Sequence, residues 1–125
     1  MLRARVQTDE AKALADFDAA LELEPDNSKY QLVRAVYLRS RKKLDEALAE
    51  VGAILDDNPQ DVNALIMQGE VLREMGNDEA ALESFEKAAE LAPKSLTTHQ
   101  RLGEIYRTNG QYDKALEHFN KILEI

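Results

Sequence analysis

Four arginines, Arg5, Arg39, Arg73 and Arg107, recur at intervals of 34 residues. A guanidinium holds a carboxylate through two parallel hydrogen bonds and stays charged at any working pH, so such a row can receive acidic side chains or a free C-terminus. Glutamates stand close by. Glu70 lies three residues before Arg73 and Glu104 three before Arg107, a spacing at which ion pairs form within one helix. The row therefore has two readings: a ladder offered to an acidic partner, or charges neutralised by their neighbours.

Other residues that could do chemistry are sparse. The chain has no cysteine, which excludes disulfides, thiolate metal sites and thiol nucleophiles. Its two histidines, His99 and His118, have no further ligands at metal spacing beside them. Neither a glycine-rich phosphate loop nor an HExxH motif occurs. The expectation is no enzyme, no metal and no cofactor.

Sixteen Lys and Arg against 24 Asp and Glu leave a net charge of −8, which opposes nucleic-acid backbones and anionic membrane surfaces. The basic run Arg39, Arg41, Lys42, Lys43 lacks interleaved aromatics for base stacking and reads as a solvated helix end. No apolar stretch approaches the roughly 18 residues of a membrane span, and the opening MLRARVQTDE has no signal-peptide core. The expected partner is a protein or peptide, with no nucleic acid and no membrane insertion. The compartment stays open.

The elements that must position these residues follow from an internal repeat. Pro25, Pro59 and Pro93 are spaced by 34 residues in a chain of 125. The same shift superposes Ala13, Ala47, Ala81 and Ala115, then Phe17, Val51, Phe85 and Phe119, then Leu14, Leu48, Leu82 and Leu116. Within each unit the apolar residues recur at three and four, the helical period. Gly76-Asn77-Asp78 and Gly110-Gln111 break each unit in the middle, and Pro followed by a short polar residue ends it. Each unit is helix–turn–helix, with small residues allowing close helix approach and Phe, Leu or Ile filling the gap between units.

This pattern resembles the tetratricopeptide repeat family. The last unit carries it best, with Leu102, Gly103, Tyr106, Gly110, Tyr112, Ala115, Phe119 and Ile122. The middle unit matches at Gly69, Leu72, Gly76, Ala81, Phe85, Ala88 and Pro93. The first full unit diverges, with Arg34 in the usual Leu column and Lys42 in the usual Gly column. The resemblance implies an all-α, right-handed solenoid of stacked antiparallel helix pairs. Residues 1–27 would be a partial unit, with 1–7 the tail of one helix and 9–27 a second. Full units would run over 28–61, 62–95 and 96–125, the last without a capping helix.

It further implies a concave groove lined by the first helix of each pair, which binds protein segments without chemistry. Its positions would be Lys29, Leu32, Val36 and Arg39, then Asn63, Ile66, Glu70 and Arg73, then Gln100, Glu104 and Arg107. Leu32, Val36 and Ile66 would form an apolar anchor flanked by Arg39. The family's carboxylate clamp for chaperone tails is absent, since Leu32, Val36, Met67 and Thr97 replace its polar residues and only Arg101 matches. Arg34, in its unusual column, is expected to pair with Asp16.

A solenoid exposes its last unit, so Tyr112, Leu116, Leu123 and Ile125 would form an open face. Burying each is worth roughly 1.5–3 kcal/mol, enough for weak self-association through the ends. Two further readings therefore stand beside groove binding. One is an assembly scaffold that uses the ends, and the other is a segment that positions substrates within a larger protein.

Overall fold

The computed structural model describes residues 2–24 and 27–125, with side chains from residue 11 onward. Pro25 and Asp26 lie outside the described residues. Seven helices occur among the described residues: α1 (Leu2–Leu23), α2 (Ser28–Ser40), α3 (Leu44–Asp57), α4 (Val62–Glu74), α5 (Asp78–Leu91), α6 (Leu96–Thr108) and α7 (Tyr112–Glu124). No strand accompanies them there. The broadest contacts are α2 with α3, α4 with α5 and α6 with α7, and each such hairpin stacks on the next through α3–α4 and α5–α6. The fold is the expected right-handed α-solenoid of stacked antiparallel pairs. None of these helices is long and apolar enough to cross a membrane.

The turn inside each hairpin needs one residue in the left-handed region. Lys42, Gly76 and Gly110 occupy it at φ 62°, 85° and 79°. The next residue in each case donates its N–H five residues back, Lys43 to Leu38, Asn77 to Leu72 and Gln111 to Tyr106, at 2.8–2.9 Å. The equivalent position near the N-terminus is Thr8, whose β-branched side chain disfavours that conformation. Helix α1 accordingly runs straight through it, where a tail over 1–7 and a second helix from 9 are expected. Between hairpins, Asn27, Asp61 and Ser95 cap α2, α4 and α6 by accepting a backbone N–H, as their side-chain chemistry predicts.

Packing within a hairpin is set by volume. A Cβ added at Gly69 would lie 2.7 Å from the Phe85 ring, and one at Gly103 would lie 2.6 Å from Phe119. The same two columns in the first hairpin hold Ala35 and Val51, both fully buried in one core cluster. The larger helix residue thus goes with the smaller partner.

Arg34 corrects an expectation. It pairs with Glu50 at 2.9 Å and with Asp18 at 3.3 Å, not with Asp16. Two positions apart on a helix point about 200° apart, so only one aspartate can face Arg34. The next hairpin fills the same columns with a neutral pair, Ser84 donating to Gln68 Oε1 at 2.9 Å.

Candidate binding groove

Helices α2, α4 and α6, the first of each hairpin, follow one another along one face, and α2 touches α4 directly. Lys29, Asn63 and Gln100 are exposed on them. Leu32 and Ile66 are half-buried and pack against the two core clusters, so only Val36, at 45% exposure, is an open apolar residue of the expected anchor.

Arg39 and Arg73 are held by glutamates of the neighbouring hairpin rather than of their own helix. Arg39 donates from Nη1 to Glu70 at 2.9 Å and from Nε to Glu74 at 2.6 Å. Arg73 donates from Nη1 to Glu104 at 3.0 Å. Arg101 reaches back from Nε to the other oxygen of Glu70 at 3.0 Å, with Glu104 3.6 Å away. Lys42 adds a longer contact to Glu74 at 3.6 Å. Arg39 to Glu70, Arg73 to Glu104 and Glu70 to Arg101 are all separated by 31 residues, one helical turn short of the repeat. The expected pairs Glu70–Arg73 and Glu104–Arg107 within one helix are thus replaced by pairs across the stack. Glu70 is the centre of this lattice: its side chain is only 11% exposed and both its oxygens are taken.

Arg39, Glu70, Arg73, Glu74 and Arg101 line a concave pocket of about 420 Å³. Three arginines and two glutamates line it, and Glu104 beside it holds Arg73, so every arginine of the pocket has a carboxylate partner. Arg39 spends two N–H groups on two carboxylates, whereas Arg73 spends a single N–H on Glu104. Arg107 is exposed and enters none of these pairs, and the side chain of Arg5 lies outside the described residues. Arg101 and Glu74 were not singled out by the 34-residue column; the 31-residue spacing is the signal that finds Arg101.

Both histidines lie apart from this lattice, at the α6–α7 hairpin. His99 is 2% exposed, in the large core slot that its repeat position implies. Its Nε2 stands 2.6 Å from the Pro93 carbonyl, so that nitrogen carries the proton, and its Nδ1 accepts from His118 Nδ1 at 3.1 Å. His118 stacks on Tyr106, whose hydroxyl donates to Glu86. Burial, then the hydrogen bond and charge of Glu86, push the Tyr106 phenol up to about 12 and keep it a donor. Burial and then the charges of His99 and Lys121 hold His118 below its ordinary range, against the opposing pull of Glu117 and Glu86. No group of three or more potential metal ligands forms among the described residues.

A family model described as tetratricopeptide repeat matches residues 97–125, and a second of the same description matches 3–62 and 43–95. The chain belongs to the tetratricopeptide repeat family. Among solved structures it is similar to MamA 41-end from Desulfovibrio magneticus RS-1, with 27% identity and a TM-score of 0.80 over 96% of this chain and 68% of that one. A MamA RS-1 double mutant gives 27% identity and 0.80 over 96% and 67%, and a MamA MSR-1 structure gives 26% and 0.74 over 97% and 70%. No curated protein matches. Repeat family and neighbours together make this tetratricopeptide repeat chain a module of the protein-interaction and scaffold type.

Proposed function

We propose that the chain binds a protein or peptide segment in the groove of α2, α4 and α6, and that the segment places a carboxylate, from an acidic side chain or a free C-terminus, against Arg73 and Arg101. The observation that carries this reading is a pocket lined by three arginines in which Arg73 spends a single N–H on Glu104 and keeps donors for a further carboxylate. Val36 and the exposed edges of Leu32 and Ile66 supply apolar contact at the N-terminal end of the same surface. Lys29, Asn63 and Gln100 offer polar contacts at its rim. No chemistry is performed; the groove is a receptor, and the units over 28–61, 62–95 and 96–125 each contribute one helix to it.

Hydrogen bonds to charged groups contribute about 1.5–3 kcal/mol, so losing one donor should weaken binding roughly ten- to hundredfold. The test is an array of acidic, neutral and basic peptides, with and without a free C-terminus, read by fluorescence anisotropy. Wild type should select acidic peptides, Arg73→Glu and Arg101→Glu should lose them, and Arg39→Gln should affect them less. Selection of basic peptides, or acidic binding indifferent to both charge reversals, would sink the reading.

A second reading is assembly through the face of α7. Tyr112, Leu116, Leu123 and Ile125 are all exposed there, which favours a scaffold role beside the groove.

A further inference from the structure

Of the carboxylates around the groove pocket, Glu70 and Glu104 differ in how firmly they are held. Glu70, only 11% exposed, gives one oxygen to Arg39 at 2.9 Å and the other to Arg101 at 3.0 Å. Glu104 is 27% exposed and makes both its contacts through a single oxygen, Oε2, at 3.0 Å from Arg73 Nη1 and 3.6 Å from Arg101 Nη1. Burial and two short hydrogen bonds fix the first. A partly exposed pair like the second is worth little, because water competes for both charges. Glu104 is therefore the carboxylate that can leave. Its departure does not open the stack, since Arg101 of α6 keeps Glu70 of α4.

The two arginines that Glu104 touches are the two against which the segment's carboxylate is placed. The spare N–H groups of Arg73 let that carboxylate approach beside Glu104, but one that spans both guanidiniums lies where Oε2 stands. We infer that Glu104 is an internal stand-in for the ligand: it occupies Arg73 and Arg101 in the unliganded chain, sets an autoinhibitory threshold, and swings out when a bridging carboxylate arrives. This rests on the groove reading above and adds the residue that regulates it. Arg73 belongs to α4 and Arg101 to α6, so a carboxylate with one oxygen on each also takes over the tie between these helices. A neutral acceptor such as an amide carbonyl gains nothing by displacing a charge, whereas a carboxylate exchanges one charged partner for another and adds a hydrogen bond. Selection is therefore for carboxylates that can use both oxygens. Exchange also leaves a thermodynamic mark. Salt opposes the making of a new ion pair, but the replacement of one pair by another is nearly indifferent to it. A residue that only braced α6 would have neither effect.

The probes are two fluorescein-labelled peptides titrated with the whole chain and read by anisotropy: a hexamer of aspartate amidated at its C-terminus, and a hexamer of serine with a free C-terminus. Glu104→Gln should tighten whichever probe the wild type prefers by about fivefold, the worth of a partly exposed ion pair. It should also steepen the loss of affinity from low to high salt. Glu90→Gln, the same change of charge at an exposed position of α5, should do neither. Circular dichroism verifies that Glu104→Gln keeps its helices, and the salt series on the wild type needs no variant. Binding that Arg101→Glu abolishes but Glu104→Gln leaves unchanged or weakens would overturn the inference and leave the groove reading standing. Parallel salt series for wild type and Glu104→Gln would do the same. Failure of both chains to bind either probe at millimolar concentration would overturn the two together.

Discussion

Lys42 is a lysine at a backbone position where the other two hairpins use glycine, at φ 62°. A side chain in the left-handed region costs about 1–2 kcal/mol, and the lysine's contact with Glu74, at 3.6 Å from a largely exposed side chain, returns little of it. Lys42→Gly should therefore stabilise the chain by about 1 kcal/mol after the greater unfolded-state entropy of glycine is counted, read as a higher denaturant midpoint at unchanged slope. Gly69 should behave in the opposite sense. Gly69→Ala drives a methyl into the Phe85 ring and should cost about 1–3 kcal/mol. Phe85→Val in the same chain should recover part of that loss, because it recreates the Ala35 and Val51 combination of the first hairpin; a double-mutant cycle measures the coupling. His118 sets a pH dependence. Its folded-state range lies below its ordinary one because of burial first and then His99 and Lys121, so unfolding takes up a proton. The stability involved is present above about pH 6.5 and is lost as pH falls, by at most about 1.4 kcal/mol per pH unit for one proton. Thermal melts from pH 7.5 to 5.5 should show this fall, and His118→Gln should flatten it.

The helices themselves were largely legible. Caps at Asp61, Asn77 and Ser95 and the left-handed glycines Gly76 and Gly110 sit where residue chemistry puts them. The exception is instructive. Thr8 stands in the column of Lys42, Gly76 and Gly110, and repeat arithmetic alone treats all four positions as turns. The physical requirement is a residue that tolerates positive φ, and a β-branched threonine does not, so α1 continues. The Arg34 contact shows a different limit: Asp16 and Asp18 are equally close in sequence, and only the rotation of α1 on α2, set by Phe17 against Tyr37, decides between them. Column comparison reveals what repeats, whereas these contacts depend on the angle at which one helix meets the next.

At the scale of the whole stack, the candidate site was half legible for the same reason. The 34-residue column displays Arg39, Arg73 and Arg107, but the carboxylates that hold the first two are offset by one turn on the following hairpin. A solenoid's stability is close to a sum of unit and nearest-neighbour terms, so each such strut acts on one junction. Glu70 breaks that locality, since it accepts Arg39 from one side and Arg101 from the other. Glu70→Gln should lower the melting temperature more than Glu74→Gln, because it leaves two partly buried guanidiniums short of a counter-charge. Differential scanning calorimetry of the two variants decides it.

The placement of these struts gives the molecule an asymmetric spring. Its inner curve is braced by ionic ties from α2 through α4 to α6, while the α3–α4 and α5–α6 joints rest mainly on apolar packing that salt does not loosen. At about 1 M salt the screening length shrinks to roughly 3 Å, the reach of the ties themselves. Raising ionic strength therefore relaxes the inside of the bend and leaves its outside intact, so curvature becomes a property that the surrounding electrolyte can set.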